Sequence, residues 1–311
     1  MIPAPSTRQL VVALKRSVGA RAAELELKWM RQAVEQPPIP ASLHPTPTFE
    51  EMLARRVAGE PLQYILGSQP FGPLDLIVRP PVLIPRPETE DWTIRLSERL
   101  RPTKSKPISI LDLCTGSGCI ALLLCHLLPP GSAHATGIDV AESAVQLAKD
   151  NGAFCGITVL DNGPPLCADF PKWDSNTFTP LLANIRDPAF VIAANLRPPY
   201  DILTANPPYI PKSQYDTLPG SVKDYEDPRA LIGDLDSGSA QGLSFYHMIA
   251  ALVGDKSRPI LKSDGIIALE VGDGQAQEVA RILHEQAQVH HIEIWRDPWD
   301  KERVVVGRSS P

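Results

Sequence analysis

The 311-residue sequence lacks any long hydrophobic run. Its longest apolar stretch spans residues 119–128, about ten residues, and His126 interrupts it. A membrane-spanning helix needs roughly 20 consecutive apolar residues. The sequence therefore predicts no transmembrane helix and no membrane partner.

The cysteines and histidines form no recognisable metal or disulfide pattern. There are five cysteines, an odd number, and no two of them make a Cys-x-x-Cys pair. Their spacings match no zinc or disulfide framework, and the seven histidines make no His-Glu-x-x-His motif. We therefore expect reduced thiols in an intracellular compartment and no metal site.

The chain also lacks an excess of basic residues. It has 30 lysines and arginines against 36 aspartates and glutamates, a net charge of −6. No overall basic field attracts it to nucleic acid, although these counts are compatible with a local basic patch. Hydrophobic residues at 43% and charged residues at 21% are typical of a globular protein, and the length suggests about two domains.

Proline, by contrast, is abundant at 33 residues, about twice the average share. The proline clusters divide the chain into three parts. Residues 1–70 are expected to form a small helical domain, because Thr48 and Glu51 make a capping box and Pro61 prevents helix continuation. Residues 71–92 are expected to be an extended connector, and residues 93–311 the main domain.

The start of the chain is basic and has no acidic residue before Glu24. Such a start, with hydroxyl residues and an amphipathic pattern, is typical of a mitochondrial transit peptide. It equally fits the first helix of the helical domain, because Leu10, Leu14 and Val18 recur at helical spacing. Both interpretations stay open, so we expect a mitochondrial location with the cytoplasm as the alternative.

A strand, glycine turn, helix and second strand follow one another from residue 107. The strand 107–113 leads into the turn 114–118, and the next strand, 134–139, ends in a carboxylate. This order predicts an α/β fold with a doubly wound, Rossmann-like sheet. Further strands are expected at 158–160, 201–205 and 265–270. An antiparallel hairpin, 292–295 with 303–306, would complete a mostly parallel sheet of seven strands, similar to class I methyltransferases.

The glycine turn predicts a nucleoside site. Gly116 and Gly118 let the backbone approach a ligand, and Asp139 stands where an acid can accept bonds from two ribose hydroxyls. Ala121 replaces the third glycine that would hold a pyrophosphate, which favours S-adenosylmethionine (SAM) over NAD. A nucleotide-free domain is the alternative. We expect the cofactor-binding residues to be Cys114, Thr115, Gly116, Ser117, Gly118, Asp139, Asp169, Phe170 and Asn206, although Asp169 and Phe170 fit a simple loop equally well.

Asn206-Pro207-Pro208-Tyr209 directly follows the strand 201–205. The Asn206 carbonyl can accept a bond from a planar NH₂ group, and the prolines stiffen the turn and leave free carbonyl acceptors. Tyr209 offers a flat face for stacking. The motif therefore predicts attack by an amide or amino nitrogen on the SAM methyl group, with Asn206, Pro207 and Tyr209 as catalytic residues. The alternative is a proline-stiffened turn without a catalytic role.

Several motifs together resemble the HemK/PrmC family, the N5-glutamine methyltransferases of peptide-chain release factors. The most discriminating is Val82-Leu83-Ile84-Pro85-Arg86-Pro87-Glu88-Thr89-Glu90. The others are Arg55–Gly67, Leu111–Gly118 with Cys114 where glycine is common, Asn206–Ile210, Leu269–Gly272 with Gln275, and Asp297–Arg303. The resemblance covers nearly all of the main domain and reaches into the helical one.

The resemblance implies SAM as cofactor and, as substrate, the glutamine in the Gly-Gly-Gln (GGQ) loop of a release factor. The helical domain would help to dock that protein partner. The implied substrate-binding residues are Asn206, Pro207, Pro208, Tyr209, Arg86 and Glu88. Read without the resemblance, Arg86, Glu88 and Glu90 fit a salt-bridged hinge between domains. No dimerisation element is visible, so we expect a monomer.

Two stretches depart from the family pattern or leave its reading open. Residues 169–201 are longer than usual, so a surface insertion is expected there. The polar stretch 211–245, with Asp224, Glu226, Asp227 and Arg229, fits either a lid over the site or a solvated loop.

Two other functions are compatible with parts of the sequence. An amino methyltransferase acting on adenine or cytosine of DNA or RNA also carries an Asn-Pro-Pro-Tyr loop. The acidic net charge and the absence of an evident basic, aromatic-rich recognition domain weigh against it. A catalytically silent SAM-binding assembly factor would not need the loop.

Overall fold

The computed structural model describes residues 5–161, 174–187, 189–234 and 241–310. The polypeptide begins with four helices, α1 (Thr7–Val18), α2 (Ala20–Glu35), α3 (Phe49–Val57) and α4 (Leu62–Leu66). The predicted capping box is present, since Thr48 accepts from the Glu51 backbone and Glu51 from the Thr48 backbone. Leu10 and Leu14 of α1 are buried in the same core as Met30 and Leu53. Residues 7–18 are therefore an integral part of the helical unit.

The predicted connector contains regular structure. Two strands, β1 (Ser68–Phe71) and β2 (Leu74–Ile77), form an antiparallel hairpin. Residues 78–86 are irregular, and helix α5 (Pro87–Arg99) begins inside the stretch expected to be extended. The helix can begin there because a proline at its first position lacks only an N–H that would find no intrahelical partner.

A sheet of eight strands forms the centre of the main domain. Its strands are β3 (Ile108–Leu113), β4 (Ala133–Asp139), β5 (Thr158–Val159), β6 (Thr177–Leu182), β7 (Tyr200–Ala205), β8 (Leu261–Glu270), β9 (His290–Arg296) and β10 (Glu302–Arg308). They lie in the order β5-β6-β4-β3-β7-β8-β10-β9. All pairs are parallel except those that β10 makes with β8 and β9. This arrangement confirms the predicted class I methyltransferase fold, with eight strands in place of the seven expected because β6 was not predicted.

One strand assignment was wrong. The stretch 158–160 contributes only the short edge strand β5, and the place beside β4 belongs to β6. Residues 169–201 are therefore not wholly a surface insertion, because Thr177, Phe178 and Thr179 are buried within the sheet. Pro180 opposes Gly137 in the ladder and obscured the strand in the sequence, since proline rarely occurs inside a sheet.

Helices cover both faces of the sheet. Alternate strand residues point to opposite faces, so Leu111 and Leu203 pack into one core while Ile110 and Ile202 pack into the other. The first core includes α12 (Ser244–Gly254) and α13 (Ala276–Ala287), and the second includes α5 and α6 (Cys119–Leu127). The remaining helices are α7 (Glu142–Phe154), α8 (Phe190–Ala193), α9 (Lys212–Tyr215), α10 (Gly220–Lys223) and α11 (Pro228–Leu231).

Within the described ranges, no helix is both long enough and apolar enough to cross a bilayer. The same residues contain no group of three or more His, Cys, Asp or Glu side chains placed to hold a metal ion.

Candidate active site

A cavity of about 400 Å³ opens at the carboxyl ends of the parallel strands. This is the edge where ligands bind in doubly wound sheets, and the volume lies within the usual range for small-molecule sites. The lining comes from the loops after β3, β4, β6 and β7, and from two segments outside the sheet. The main lining residues are 81–83, Cys114, Gly116, 138–141, 183–186, Asn206, Pro208 and 227–230.

The turn after β3 presents its backbone to the cavity. Gly116 has a φ of +55°, and a β-carbon added there would meet no atom within 4 Å, so its missing side chain leaves room for a ligand. Cys114 also lines the cavity and has a φ of +58°, in the left-handed region that favours glycine. Burial raises the pKa of the Cys114 thiol well above its ordinary value, so the thiol is neutral.

The other residues of the turn are held by contacts with β3 and α7. Thr115 donates a hydrogen bond to Asp112 Oδ2 at 2.6 Å, and Thr204 of β7 donates to Asp112 Oδ1 at 2.7 Å. The Ser117 carbonyl accepts from Asn151, and Gly118 packs against Leu122 and Ala148. Burial raises the pKa of Asp112 to about 7, because the two hydroxyl bonds offset only part of the desolvation. Thr115, Ser117 and Gly118 therefore support the turn, while Cys114 and Gly116 face the cavity.

Asp139 lies at the end of β4 and lines the cavity. Its carboxylate accepts from the backbone N–H groups of Gly116 and Ala141, both at 2.9 Å. Burial raises the pKa of Asp139, and these hydrogen bonds oppose the rise. A carboxylate has about four acceptor positions, so oxygen lone pairs are available for a ligand.

The cavity includes residues that the sequence did not identify. The residues after β6, Ala183–Arg186, line the cavity. The predicted Asp169 and Phe170 lie outside the described residues. Pro81, Val82 and Leu83 come from the stretch just before Arg86. Residues 227–230 lie in the polar stretch interpreted as either a lid or a loop, and they form part of the wall. Val82 and Leu83 are the first two residues of the signature motif, and this was the one available signal for these residues.

The loop after β7 is held on several sides. Gln275 donates a hydrogen bond to the Tyr209 carbonyl at 2.9 Å, and the Gly272 N–H donates to Gln275 Oε1 at 2.8 Å. A β-carbon on Gly233 would lie 2.7 Å from the Tyr209 α-carbon, and one on Gly242 would lie 2.0 Å from the Tyr209 backbone carbonyl oxygen. These contacts fix the loop carbonyls, and they explain the predicted role of Gln275 and Gly272 as part of one motif.

The side chain of Tyr209 is half-buried beside charged residues. Burial is the main cause of its raised pKa, and nearby Glu270 adds to the rise while Arg303 opposes it. Tyr209 is therefore a neutral phenol at physiological pH, which suits a stacking surface and not a base.

Asn206 is connected to the signature motif. Its Nδ2 donates to Thr89 Oγ1 at 3.3 Å, and Thr89 in turn donates to Glu270 Oε2 at 2.6 Å. Trp92 Nε1 also donates to Glu270 Oε2, at 2.9 Å. Glu270 is only 1% exposed, and burial raises its pKa while the two donors lower it. Neither Thr89 nor Glu270 was among the predicted site residues.

The charged residues of the signature motif do not line the cavity. Arg86 pairs with Glu226 at 2.6 Å, and Glu226 also accepts from the Ile84 N–H at 3.3 Å. The Asp227 N–H donates to the Pro81 carbonyl at 2.8 Å. The ion pair therefore joins the two outer walls of the cavity. Glu88 lies half-buried on the first turn of α5, close enough to Tyr209 and Glu270 to raise the pKa of each.

Comparison with known proteins identifies the family. Residues 36–67 match the sequence profile of the PrmC N-terminal domain. The chain is 35% identical over 257 residues to the release factor glutamine methyltransferase of Geobacter sulfurreducens, covering 83% of this chain and 76% of that protein. It is 34% identical over 219 residues to the mitochondrial MRF1 N(5)-glutamine methyltransferase MTQ1 of Saccharomyces cerevisiae, covering 69% and 60%.

A solved structure of a release factor-specific protein-(glutamine-N5) methyltransferase from Alicyclobacillus acidocaldarius aligns with a TM-score of 0.39 at 24% sequence identity. The alignment covers 75% of this chain and 99% of that one. On the sequence identity to the curated relatives, and on the length that they share with it, this chain belongs to the release factor glutamine methyltransferase family.

Proposed function

We propose that this protein transfers a methyl group from SAM to the side-chain amide nitrogen of a glutamine in a peptide-chain release factor. The observation that carries the proposal is the position of Asn206. It lies in the wall of a nucleoside-sized cavity, next to the turn after β3, with its amide nitrogen engaged by Thr89. Family membership supplies the substrate class.

The cavity residues fit SAM. The absent side chain of Gly116 leaves room against the backbone, and the Asp139 carboxylate has acceptor positions for the two ribose hydroxyls. Val82, Leu83 and Ile185 provide apolar surface for the adenine ring. Bound SAM would supply an electrophilic methyl group on a sulfonium sulfur.

The catalytic loop provides acceptors for a planar amide. An amide nitrogen is a weak nucleophile because its lone pair is delocalised. The Asn206 side-chain oxygen and the Pro207 carbonyl would accept its two N–H groups, orient the lone pair and stabilise the positive charge that develops on nitrogen. Tyr209 would stack on the amide plane, and the loosened proton would leave to water without a strong base.

The protein partner is proposed to be a release factor that presents a GGQ loop. The helical unit, residues 7–66 of the described chain, would help to dock that protein, and neither a stable nucleic acid partner nor a membrane is part of the proposal. We further propose a monomer that acts in mitochondria. The yeast relative named above is mitochondrial, and imaging of a carboxyl-terminal fluorescent fusion of the full chain tests the location.

A methyl-transfer assay tests the function. Labelled SAM is offered to the purified protein with a GGQ-containing release factor or with its Gln→Ala variant. We expect label on the first protein only, and loss of that label with Asn206→Ala while SAM still binds. Label on neither protein, with SAM bound, would contradict the proposal and point to a nucleic acid amino group or to a silent binder.

A further inference from the structure

We propose that Thr89 is a positioning residue that sets the orientation of the Asn206 side-chain amide. The inference rests on the proposed function, because the orientation matters only if Asn206 must accept a hydrogen bond from a substrate NH₂ group. It gives the signature motif a role through its threonine, whereas the charged Arg86 of the same motif pairs with Glu226 and does not line the cavity.

The first step is the direction of the hydrogen bonds. Trp92 Nε1 can only donate, so Glu270 Oε2 accepts from it at 2.9 Å. Thr89 Oγ1 lies 2.6 Å from the same oxygen and donates its single proton there. Its lone pairs therefore accept the hydrogen bond that Asn206 donates through Nδ2 at 3.3 Å. Glu270 is therefore the fixed acceptor at the end of a chain of donors.

The second step is the consequence for the substrate. With Nδ2 turned to Thr89, the Asn206 oxygen is the group left to face the incoming amide. A flipped Asn206 would present its NH₂ to the NH₂ of the substrate and its oxygen to a threonine with no proton left to give. Both contacts would be unfavourable, so the Thr89 hydroxyl selects the one orientation that binds an amide nitrogen.

The third step is that this contact is local and separable from general support of the helix. Thr89 is 1% exposed, and Thr93, one turn later on α5, is 0% exposed. Thr93 donates to the Thr89 carbonyl at 2.7 Å, and within the part of the chain that the structure describes its hydroxyl bonds neither Asn206 nor Glu270. The two threonines are thus matched in residue type, helix and burial, and they differ in what their hydroxyls orient.

The experiment compares Thr89→Val, Thr89→Ser and Thr93→Val in the full chain. Valine keeps the shape of threonine without the hydroxyl, and serine restores the hydroxyl. We expect Thr89→Val to lower kcat on the release factor by about 10- to 100-fold, the scale of a small misplacement near the reacting atoms. SAM affinity should stay within about 2-fold, because the misplacement concerns the group that receives the substrate amide. Thr89→Ser should recover most of the activity. Thr93→Val should resemble wild type.

A spectroscopic measurement tests the orientation without the substrate. The chain has six asparagines, so Asn-selective ¹⁵N labelling gives few side-chain amide signals, and Asn206→Ala assigns the relevant pair. We expect Thr89→Val to change the chemical shifts of the Asn206 side-chain NH₂ signals. Thr89→Ser and Thr93→Val should leave them unchanged.

The outcomes separate the two proposals. If wild type labels the release factor and Thr89→Val retains full kcat, the positioning role is overturned while the proposed function stands. If wild type labels nothing, the proposed function fails, and the amide spectrum alone decides whether Thr89 orients Asn206. An Asn206 signal that does not respond to Thr89→Val overturns the inference in either case.

Discussion

Asp112 is a carboxylic acid with no exposed surface, directly beneath the turn that faces the cavity. Burial raises its pKa to about 7 in the folded protein, while an unfolded aspartate titrates near 3.9. Between these two values the folded state holds a proton that the unfolded state has lost. The contribution of Asp112 to the free energy of unfolding therefore falls as pH rises from about 4 to about 7.

We expect Asp112→Asn to remove this slope, which amounts to about 1.4 kcal/mol per pH unit. Urea unfolding of wild type and variant at pH 5, 6 and 7 measures it, since titrations of other groups are common to both proteins. The free energy of unfolding of the variant should increase relative to that of wild type as pH rises. Parallel curves for the two proteins would show that Asp112 is ionised throughout.

Asp139 is the residue on which cofactor affinity should depend most. Asp139→Ala removes the proposed acceptor for the ribose and also the hydrogen-bond partner of the Gly116 N–H. We expect SAM binding to weaken by about 1.5–3 kcal/mol, the range for hydrogen bonds to charged groups. Calorimetric titration measures it, with Asp273→Ala as control, since Asp273 is an exposed carboxylate paired with Lys301. Unchanged affinity for Asp139→Ala would place the ribose acceptor elsewhere.

At the scale of elements, the catalytic loop depends on glycines that pack against its backbone. Gly242 has a φ of +69°, and a β-carbon there would lie 2.0 Å from the Tyr209 backbone carbonyl oxygen. We expect Gly242→Ala to push the loop away and to lower kcat/KM by at least about 100-fold. Methyl-transfer kinetics on the release factor provide the measurement.

Gly156→Ala separates the clash from backbone strain. Gly156 has a φ of +71°, and an added β-carbon there would meet nothing within 4 Å. This variant should lose about 1–2 kcal/mol of stability from the left-handed backbone and keep wild-type turnover. Equal loss of activity in the two variants would mean that strain, and not contact with Tyr209, explains the effect.

The parallel strands of the sheet could be predicted because they are buried on both faces and stand out as apolar runs. The turn 114–118, Asp139 and Asn206 followed from their positions after such strands, and the structure brings Cys114, Gly116, Asp139 and Asn206 to one cavity. Strand β6 could not be predicted, because threonines and Pro180 interrupt its hydrophobic pattern.

The partners of the site residues were out of reach for a different reason. Thr89 and Asn206 are 117 positions apart, and Thr89 and Glu270 are 181 apart. No local propensity encodes such a contact, and the fold alone determines it. The signature motif could be recognised from its sequence. The contacts of its threonine are defined only once the fold brings β7, β8 and α5 together.

At the scale of the whole molecule, the helical unit has its own core. The cluster that contains Leu53 draws only on residues between Leu10 and Leu66. Outside this cluster, Ile39 packs with Ile77 and Val82, and the Tyr64 hydroxyl donates to the Val82 carbonyl at 2.7 Å. The separate core agrees with the prediction of a helical domain over residues 1–70, whereas the stretch 71–92 contains the β1–β2 hairpin and the start of α5.

We expect Leu53→Ala to destabilise the helical unit by about 2–5 kcal/mol, the usual cost of such a truncation in a core. Hydrogen exchange followed by mass spectrometry should show faster exchange in residues 7–66 and unchanged protection in the sheet, with SAM affinity retained. Leu122→Ala, in the core beneath the sheet, should give the opposite pattern. Loss of protection across both regions in Leu53→Ala would mean that they unfold as one unit.

The ion pair between Arg86 and Glu226 also affects when the cavity can form during synthesis of the chain. The two residues are 140 positions apart, and contacts of such separation form only after the intervening chain has emerged and closed on itself. Residues 81–83 of the cavity lining are synthesised early, and residues 227–230, whose Asp227 N–H bonds the Pro81 carbonyl, are synthesised late. A nascent chain that ends before residue 226 therefore has the glycine turn and Asp139 but lacks the part of the cavity wall made by residues 227–230, and we expect it to retain SAM more weakly than the full chain.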